Sequence, residues 1–331
     1  MDQKRKDTQM KAIVYTKYGP PDVLQLKEVE KPTPKEDEAL VKVHATSLNA
    51  ADFETLRGVF VIRIAAPRKP MYKILGSDIA GRVEAVGRNV KLFQPGDEIW
   101  GDLSYPYGFG TFAEYVCIPE NALRLKPASM TFEEAAAVPT AAVVALQNLC
   151  CKRPIQPGQK VLINGAGGGV GTFAVQLAKN FGAEVTGVDS TRKLDMLRSI
   201  GADHVIDYTQ EDFTQNEQRY DLILDVVAYR SIFAYKRALG PEGIFVYVGG
   251  STAAIFQALL LGPLISKIGS KKMGVGMWKP NKKEDLDFLT ELFEAGKVVP
   301  VIDRRYPLSE VPEALRYLEE GHAQGKVVIT V

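Results

Sequence analysis

The sequence is poor in residues that form disulfides or bind metals. Its 331 residues include three cysteines and three histidines. An odd number of cysteines without framework spacing argues against a disulfide scaffold and fits a reducing compartment. A structural zinc site made of four cysteines is therefore excluded. From this composition we expect a cytoplasmic protein.

Neither positive nor negative charge is in large excess. The formal net charge is +1, and no long stretch supplies the basic face that a nucleic-acid partner would favour. Lys4, Arg5 and Lys6 form a short basic run, which we interpret as a solvated tail. The start of the chain lacks the apolar core of a signal peptide.

Long hydrophobic runs are absent as well. The most apolar stretch covers residues 253–265, with the sequence AAIFQALLLGPLI. It is shorter than the ~18 residues typical of a membrane span, and Gly262 and Pro263 interrupt it. We predict no stable membrane span and interpret the stretch as a buried helix or a subunit contact. Peripheral membrane association is the alternative.

Two patterns divide the chain near residue 130. Before it, short apolar runs at 10–15, 39–45 and 82–86 lie between frequent glycines and prolines, which predicts mostly β structure. Thr131 and Glu134 then have the spacing of a helix capping box. Strand-like runs at 160–164, 184–189, 204–207, 221–227 and 243–249 alternate with helix-like runs at 170–181, 192–200 and 229–239. That alternation is typical of a parallel sheet covered on both faces. A last β run at 326–331 suggests that the tail returns to the first domain.

The strongest chemical signal is the segment KVLINGAGGGVGTFAVQLAK at 160–179. An apolar strand leads into Ala166-x-Gly168-x-x-Gly171, with Gly169 and Val170 inside the frame, and an amphipathic helix follows. A diphosphate needs close approach to the backbone, and a helix N-terminus offers unpaired N–H groups and a positive dipole end. The strand before, the helix after and a second strand about 20 residues later match the context of a dinucleotide site.

The second strand ends in residues that give conflicting signals on the coenzyme. Asp189 could accept a hydrogen bond from a ribose 2′-hydroxyl, which favours NAD. Ser190, Thr191, Arg192 and Lys193 offer two hydroxyls and two cations, which suit the 2′-phosphate of NADP. We predict NADP, with NAD as the alternative. Arg192 and Lys193 could instead be a solvated helix start.

Motifs along nearly the whole chain resemble the medium-chain dehydrogenase/reductase superfamily, in its zinc-free quinone-oxidoreductase branch. Besides the glycine-rich turn, the matching segments are MKAIVYTKYGPPDVLQLKEVEKPTP at 10–34, SLNAADFETLRG at 47–58, GSDIAGRVEAVG at 76–87, FQPGDEIWG at 93–101, GTFAEYV at 110–116, AAAVPTAAVVALQNL at 135–149 and GKVVITV at 325–331.

The resemblance implies an α/β fold with two domains. A doubly wound parallel Rossmann sheet would bind the dinucleotide, and a GroES-like β-barrel domain would be built from both chain ends. We place the GroES-like catalytic domain at 1–130 and 305–331 and the Rossmann domain at 131–304. The family also forms dimers or tetramers, and we expect a homodimer.

Departures from the alcohol-dehydrogenase branch of the family concern zinc. That branch has Gly-His-Glu where this chain has Gly76, Ser77 and Asp78, and a cysteine ligand in the neighbourhood of Ser47 to Asn49. Catalytic zinc needs about three protein ligands and an open position. We therefore predict no metal.

Without a Lewis acid, hydride transfer needs another way to stabilise charge on a carbonyl oxygen. Quinones and α,β-unsaturated carbonyls spread that charge over a conjugated system. We therefore predict an NADPH-dependent quinone or enone oxidoreductase that acts on a small molecule. A zinc-free NAD-linked alcohol or aldehyde dehydrogenase and a cofactor-binding protein with little turnover are the alternatives.

Further site residues follow from the resemblance. Asn49, in the family's L-N-x-x-D motif, is the catalytic candidate, while Asp52 is expected to be a helix N-cap. Thr140 matches a position at the family's nicotinamide end, or is a threonine in a helix interior, and Lys326 lies where the family's GKVV segment returns to the cleft. Tyr208 follows the third strand near the expected adenosine phosphate, and Gly249 and Gly250 end a strand where the backbone would approach the nicotinamide. The loop tyrosines Tyr72, Tyr105 and Tyr107 could donate a proton, but for each we favour packing in the core or at the rim.

Overall fold

The structure is a computed structural model that describes residues 8–104, 108–151 and 153–331. The predictions on Lys4, Arg5, Lys6, Tyr105 and Tyr107 lie outside these residues. The strands are β1 (Gln9–Val14), β2 (Gln25–Glu30), β3 (Glu38–Ser47), β4 (Asp78–Val86), β5 (Glu98–Asp102), β6 (Tyr115–Pro119), β7 (Leu123–Leu125), β8 (Lys160–Asn164), β9 (Glu184–Asp189), β10 (His204–Asp207), β11 (Tyr220–Asp225), β12 (Leu239–Tyr247), β13 (Lys272–Val275), β14 (Ile302–Pro307) and β15 (Lys326–Thr330). The helices are α1 (Ala50–Arg57), α2 (Phe60–Ala65), α3 (Phe132–Ala136), α4 (Pro139–Leu149), α5 (Gly169–Asn180), α6 (Leu194–Ser199), α7 (Ile232–Ala238), α8 (Thr252–Ile268), α9 (Lys283–Glu294) and α10 (Val311–Glu319).

The chain divides into two compact units. The first contains the residues up to Thr140 together with Pro280–Leu286 and Ile302–Val331, and the second contains Ala141–Lys279 and Asp287–Val301. The first unit therefore draws on both ends of the chain. The domain boundaries proposed from the sequence stay a prediction.

A six-stranded parallel sheet forms the centre of the second unit. Its strand order is β10-β9-β8-β11-β12-β13, and all of its neighbouring strands pair in parallel. This is the doubly wound order 3-2-1-4-5-6 of a Rossmann fold. The order brings β8 and β11, the strands at the topological switch point, side by side. The Rossmann prediction is confirmed.

Antiparallel pairing dominates the sheet of the first unit, whose order is β14-β15-β3-β4-β5-β7 with β6 also paired to β3. The tail strand β15 pairs antiparallel with β3 through Val328 and Ser47. The C-terminal run predicted as β structure therefore closes onto the N-terminal part of the chain. This pairing places Lys326 near the end of β3, where the polar cluster described below is found.

One local expectation was wrong. Asn49 is the N-cap of α1, while Asp52 is the third residue of the helix, where its carboxylate accepts the backbone N–H of Asn49 at 2.8 Å. The apolar stretch at 253–265, interpreted as a buried helix or a subunit contact, forms α8, one side of which is buried and the other exposed.

Candidate active site

The glycine-rich turn joins β8 to α5 with very little free space. Gly165 has φ of +79°, a conformation that disfavours residues with a Cβ atom. A Cβ atom at Gly171 would lie 2.2 Å from the carbonyl oxygen of Gly165. Only glycine therefore allows the first turn of the helix to pack this closely on the preceding strand.

The head of α5 remains open to a ligand. Gly168 is the N-cap, and Gly168, Gly169 and Val170 are half-buried, while Ala166 and Gly171 are buried. The first N–H groups of a helix have no partner within the helix, and the helix dipole places positive charge there. Small, partly exposed residues thus line the N-terminus of this 12-residue helix, and the diphosphate site stays a prediction.

Asp189 binds the glycine turn directly. Its carboxylate accepts the backbone N–H groups of Gly167 and Ser190, each at 2.8 Å. The ammonium of Lys193 lies 3.4 Å from the same carboxylate, and both side chains are more than nine-tenths buried. The side chain of Lys193 also covers Gly167, where a Cβ atom would lie 2.6 Å from Lys193 Cδ. Asp189 is therefore neutralised and joined to the diphosphate turn.

The other residues predicted around the adenosine end lie on the same edge of the sheet. Arg192 is exposed. The Thr191 hydroxyl donates to Asp207, the last residue of β10. The N–H of Tyr208 donates to the carbonyl of Asp189 at 3.1 Å, and its side chain is half exposed. These contacts gather the predicted residues at the carboxyl ends of β9 and β10.

Gly249 and Gly250 lie against the loop that follows β11. A Cβ atom at Gly249 would lie 2.6 Å from the carbonyl of Val226, and one at Gly250 would lie 2.2 Å from the carbonyl of Ala228. The side chain of Val227 in turn borders Gly165. The two glycines thus allow neighbouring loops to meet at the edge of the sheet that carries the diphosphate turn.

In the first unit, the carboxylate of Asp78 organises a buried polar cluster. It accepts five hydrogen bonds, from the Thr140 N–H (2.9 Å) and hydroxyl (2.7 Å), Ser47 Oγ (2.6 Å), Asn49 Nδ2 (2.9 Å) and Lys326 Nζ (3.2 Å). Asp78 is fully buried. The structure therefore brings together three of the predicted residues, Asn49, Thr140 and Lys326, around a residue that the sequence analysis did not select.

Lys326 is 2% exposed, and protein acceptors surround its ammonium. It donates to the Leu48 carbonyl at 3.0 Å and to Asn49 Oδ1 at 2.7 Å, in addition to Asp78. An ammonium has three N–H groups, so all of them are used here. Lys326 therefore holds the amide of Asn49 by its oxygen, and Asp78 holds the same amide by its nitrogen.

Two further buried carboxyls lie beside this cluster. Burial raises the pKa of Asp52 to about 7, with a contribution from the charge of Asp78. Asp102 lies directly across from Asp78 in the pairing of β5 with β4. Burial and the charge of Asp78 raise the pKa of Asp102 to about 6. Asp52 and Asp102 are thus buried carboxyls whose pKa values are raised by burial and by the charge of Asp78.

The sequence analysis missed the hub Asp78, its partner Ser47 and the neighbour Asp102. Each is a common polar residue at the end of a strand, and no local pattern distinguishes it from a turn residue. A signal was present in the segment GSD at 76–78, which replaces the zinc-binding sequence of related enzymes. The role of this segment depends on the pairing of β15 with β3, which a local pattern does not specify.

Comparison with known proteins agrees with this arrangement. A family model described as alcohol dehydrogenase GroES-like domain matches residues 35–128, and one described as zinc-binding dehydrogenase matches residues 200–329. The chain is 38% identical to a 2-methylene-furan-3-one reductase from Solanum lycopersicum, covering 97% of this chain and 79% of that protein. It is 34% identical to a chloroplastic NADPH-dependent alkenal/one oxidoreductase from Arabidopsis thaliana, with the same coverage.

A solved structure gives the same result. The quinone oxidoreductase from Coxiella burnetii superimposes with a TM-score of 0.87 at 33% identity, covering 98% of this chain and 99% of that one. The fold is that of a two-domain dehydrogenase with a Rossmann and a GroES-like domain. The chain belongs to the medium-chain dehydrogenase/reductase superfamily, in its zinc-free quinone-oxidoreductase branch, as the motifs predicted.

The residues of the polar cluster do not fit a zinc ion, although one matching family model carries zinc in its description. A cation placed at Asp78 would meet the ammonium of Lys326 at 3.2 Å and would have to displace the five donors. Ser47 offers a hydroxyl that already donates. Within residues 8–104, 108–151 and 153–331, no three His, Cys, Asp or Glu side chains form a group that could hold a metal.

Proposed function

We propose that this chain transfers hydride from NADPH to a quinone or an α,β-unsaturated carbonyl. The observation that carries the proposal is the glycine turn, in which Gly171 and Ala166 bring the head of α5 into a form that suits a diphosphate. Relatives with more than 30% identity over nearly the whole chain are reductases of conjugated carbonyls. The enzyme is an NAD(P)H-dependent oxidoreductase.

The coenzyme-binding residues that we assign lie in both units. The diphosphate would contact the loop, and the adenosine ribose and its phosphate would contact the turn after β9 together with Tyr208. Thr140, Gly249, Gly250 and Lys326 would form the nicotinamide end. The full set is Thr140, Ala166, Gly168, Gly169, Val170, Gly171, Asp189, Ser190, Thr191, Arg192, Lys193, Tyr208, Gly249, Gly250 and Lys326. Lys326 would act through Asn49 and Asp78, since its own donors are used.

The pairing of Asp189 with Lys193 supports NADP over NAD. A free acid at the end of the second strand binds ribose hydroxyls and repels a 2′-phosphate. Here the Lys193 ammonium neutralises that acid, and the exposed guanidinium of Arg192 is available for bidentate contact with phosphate. NADH remains the alternative coenzyme, because the Asp189 carboxylate can still accept a hydroxyl.

When bound, NADPH supplies the hydride from its nicotinamide ring to an electrophilic carbon of the substrate. Negative charge then develops on the substrate oxygen, where a hydrogen-bond donor stabilises it. Asn49 has this capacity. Its oxygen accepts from the Lys326 cation, which polarises the amide and strengthens its N–H donors. One N–H is donated to Asp78, and we assign the other to the substrate oxygen.

Steady-state assays separate this function from its alternatives. NADPH oxidation would be measured with 9,10-phenanthrenequinone, 1,4-benzoquinone and 3-penten-2-one, and NAD reduction would be measured with simple alcohols. We expect turnover with the conjugated acceptors and little with the alcohols. Alcohol oxidation with NAD alone would favour the dehydrogenase alternative. Tight NADPH binding without reduction of any acceptor would favour a binding protein.

The cellular location and the oligomeric state of the protein are also proposals. A cytoplasmic location agrees with the low cysteine content of three residues, and a homodimer is common in this superfamily. Fractionation would test the first, and sedimentation of the purified protein would test the second. In the described residues, no helix is long and apolar enough to cross a membrane.

A further inference from the structure

The chain between α1 and β4 is attached to the buried polar cluster at both of its ends. A single carboxylate makes the two attachments, since Asp52 accepts the backbone N–H of Asn49 at 2.8 Å and that of Gly76 at 3.1 Å. Asn49 is the N-cap of α1, and Gly76 lies two residues before Asp78. The chain therefore leaves the cluster along α1 and returns to it just before β4. We call its middle part, residues 59–73, the α2 segment.

Specific contacts fix the inner side of the α2 segment. Tyr18 Oη donates to the carbonyl of Ala66 at 2.8 Å. Arg63 Nε donates to the carbonyl of Gly58 at 2.8 Å, and the Arg63 guanidinium lies 4.7 Å from the centre of the Tyr18 ring. Gly58 has φ of +62°, and a Cβ atom there would lie 2.6 Å from the Tyr18 ring. These contacts hold α2 against Tyr18 and leave its other side uncovered.

The outer side of α2 is apolar. Phe60 is 70% exposed and Ile64 is 68% exposed, and residues four apart on a helix lie on the same face. We call these two side chains the α2 face. Met71, later in the same segment, is 60% exposed. Single exposed apolar side chains are ordinary, whereas neighbouring ones mark a place where a ligand or a partner binds.

Charge in the α2 segment argues against a second copy of the chain on the α2 face. No Asp or Glu occurs between Glu54 and Asp78, while arginine or lysine occurs at 57, 63, 68, 69 and 73. A two-fold contact brings the same surface of both subunits together, so cations would meet cations, which opposes association. Membrane affinity scales with buried apolar area, and a helix of six residues provides little. A small apolar ligand fits both observations.

The α2 face is within reach of a hydrocarbon chain that starts at the reacting carbonyl. A helix rises ~1.5 Å per residue, so the eight residues of α1 span about 12 Å. Asn49, to which we assign the substrate oxygen, is at the start of α1, and Phe60 follows the end of α1 by three residues. An extended chain covers about 1.2 Å per bond, so roughly ten carbon–carbon bonds connect the carbonyl with α2.

We propose that the acceptor is a conjugated carbonyl compound with a hydrocarbon chain of about ten carbons or more, and that Phe60 and Ile64 bind the distal part of this chain. The inference rests on the proposed function and adds the class of substrate. The distal chain takes no part in hydride transfer, so its contacts are the same in the ground state and in the transition state. Contacts of that kind lower KM and leave kcat unchanged. The two residues therefore determine specificity and are not catalytic.

Steady-state kinetics with NADPH and enones of increasing length test the proposal. 3-Penten-2-one and 3-hepten-2-one are too short to reach α2, whereas 3-dodecen-2-one is long enough. We expect the wild type to have its lowest KM for 3-dodecen-2-one. In Phe60→Ser/Ile64→Ser, this KM should rise roughly 15-fold, the effect of about two buried CH₂ groups, with kcat unchanged. Both constants for the two short enones should stay at the wild-type values.

Two variants serve as controls. Phe60→Leu/Ile64→Leu keeps the surface apolar and should keep KM for 3-dodecen-2-one near the wild-type value. Leu92→Ser removes another apolar side chain of the first unit, which is 64% exposed, and should leave every constant unchanged. Equal KM values of the wild type for short and long enones would overturn the proposal, and the reductase function would stand. An equal rise in KM for all enones in the serine variant would overturn it as well.

Calorimetric titration with 2-dodecanone, the product of 3-dodecen-2-one reduction, measures the chain contact without turnover. We expect the wild type with NADP⁺ to bind 2-dodecanone roughly 15-fold more tightly than the serine variant does. Equal affinities would overturn the proposal even if no enone is reduced, which separates its failure from a failure of the proposed function. A change of oligomeric state in the serine variant would assign the α2 face to a second copy and would also overturn the proposal.

Discussion

At the scale of single residues, charge neutralisation explains how one turn can hold both an acid and cations. Asp189 is paired with Lys193 and accepts the N–H of Gly167, so groups of the protein neutralise its negative charge. Arg192 is exposed beside it. The acidic and basic signals in the sequence are thus reconciled by the contact between Asp189 and Lys193, and we propose that Arg192 selects the coenzyme.

Replacing Arg192 tests this selection. We expect Arg192→Gln to lower kcat/KM for NADPH by roughly 10- to 100-fold, the worth of a charge-assisted contact with phosphate. The value for NADH, which lacks the phosphate, should change little. Arg198→Gln is the matched control, because Arg198 is a neighbouring exposed cation paired with Asp195. An equal loss for both coenzymes would defeat the assignment.

The buried pair of Lys326 and Asp78 makes a prediction on stability. Lys326→Met leaves an uncompensated carboxylate in the core, which should lower the free energy of unfolding by about 3 kcal/mol. Adding Asp78→Asn should recover part of that loss, so the double-mutant cycle should show coupling above ~1 kcal/mol. The more exposed pair Lys31 and Glu84, at 2.7 Å, should give a coupling energy of ~0–1 kcal/mol in the same double-mutant cycle, measured by denaturation. Additive losses at Lys326 and Asp78 would refute the cluster.

Asp102 makes the cluster sensitive to pH. Burial and the charge of Asp78 raise its pKa from 3.8 to about 6 in the folded state. A raised pKa contributes stability that is complete below the unfolded value and is lost as the pH rises through the folded value. Between about pH 4 and about pH 7, the free energy of unfolding of the wild type should therefore fall by on the order of 2 kcal/mol relative to that of Asp102→Asn.

The asparagine variant is a close match in shape. Its oxygen can still accept the Ser104 N–H, which Asp102 Oδ1 accepts at 2.8 Å, while Oδ2 has no hydrogen-bond partner in the described residues. Asp37→Asn, at an exposed position, is the control and should follow the wild-type curve. Parallel pH curves for the wild type and Asp102→Asn in urea denaturation would show that Asp102 does not titrate in this range.

At the scale of elements, local pattern predicted the Rossmann strands well. The runs at 160–164, 184–189 and 204–207 coincide with β8, β9 and β10. These strands are short and alternate with helices, so the local sequence carries the information. The N-cap of α1 was harder to predict, because the side chain of Asn49 is held by Asp78 and Lys326, which are distant along the chain.

Helix α8 shows a different limit of sequence analysis. Its apolar composition predicted a buried helix or a subunit contact, and the structure shows a helix with one buried side and one exposed side. The apolar composition of a helix indicates that part of its surface is covered. Only the fold shows which side of the helix is covered by the protein itself. The same distinction applies to Asp78, whose partners come from β3, α1, α4 and β15.

The turn between β8 and α5 gives a prediction at this scale. In Gly171→Ala, the added Cβ atom would lie 2.2 Å from a backbone oxygen, so the helix must shift. We expect both the melting temperature of the free protein and the affinity for NADPH to fall. In Gly168→Ala, the Cβ atom would lie 3.5 Å from Gly165 O, an ordinary contact. That variant should keep its melting temperature and lose coenzyme affinity alone.

Calorimetric scans and coenzyme titrations of the two alanine variants measure this difference. The contrast between the two variants separates effects on the folding of the turn from effects on coenzyme binding. Unchanged NADPH affinity in Gly168→Ala would mean that the backbone at the head of α5 is not approached closely by the coenzyme.

At the scale of the whole molecule, the family and the fold class could be predicted from motifs, and the comparisons confirm them. The organisation of the polar cluster could not be predicted, because Lys326 and Asn49 are 277 residues apart along the chain and meet only through the pairing of β15 with β3. Buried polar contacts of this kind depend on topology, which no short motif encodes.

A crystal structure of the chain with NADPH would show whether the glycine turn binds the coenzyme. We expect the diphosphate at the N-terminus of α5, against the N–H groups of residues 168–171, and the 2′-phosphate beside Arg192. A coenzyme bound at another place on the molecule, or a protein that takes up neither NADPH nor NADH, would contradict this expectation.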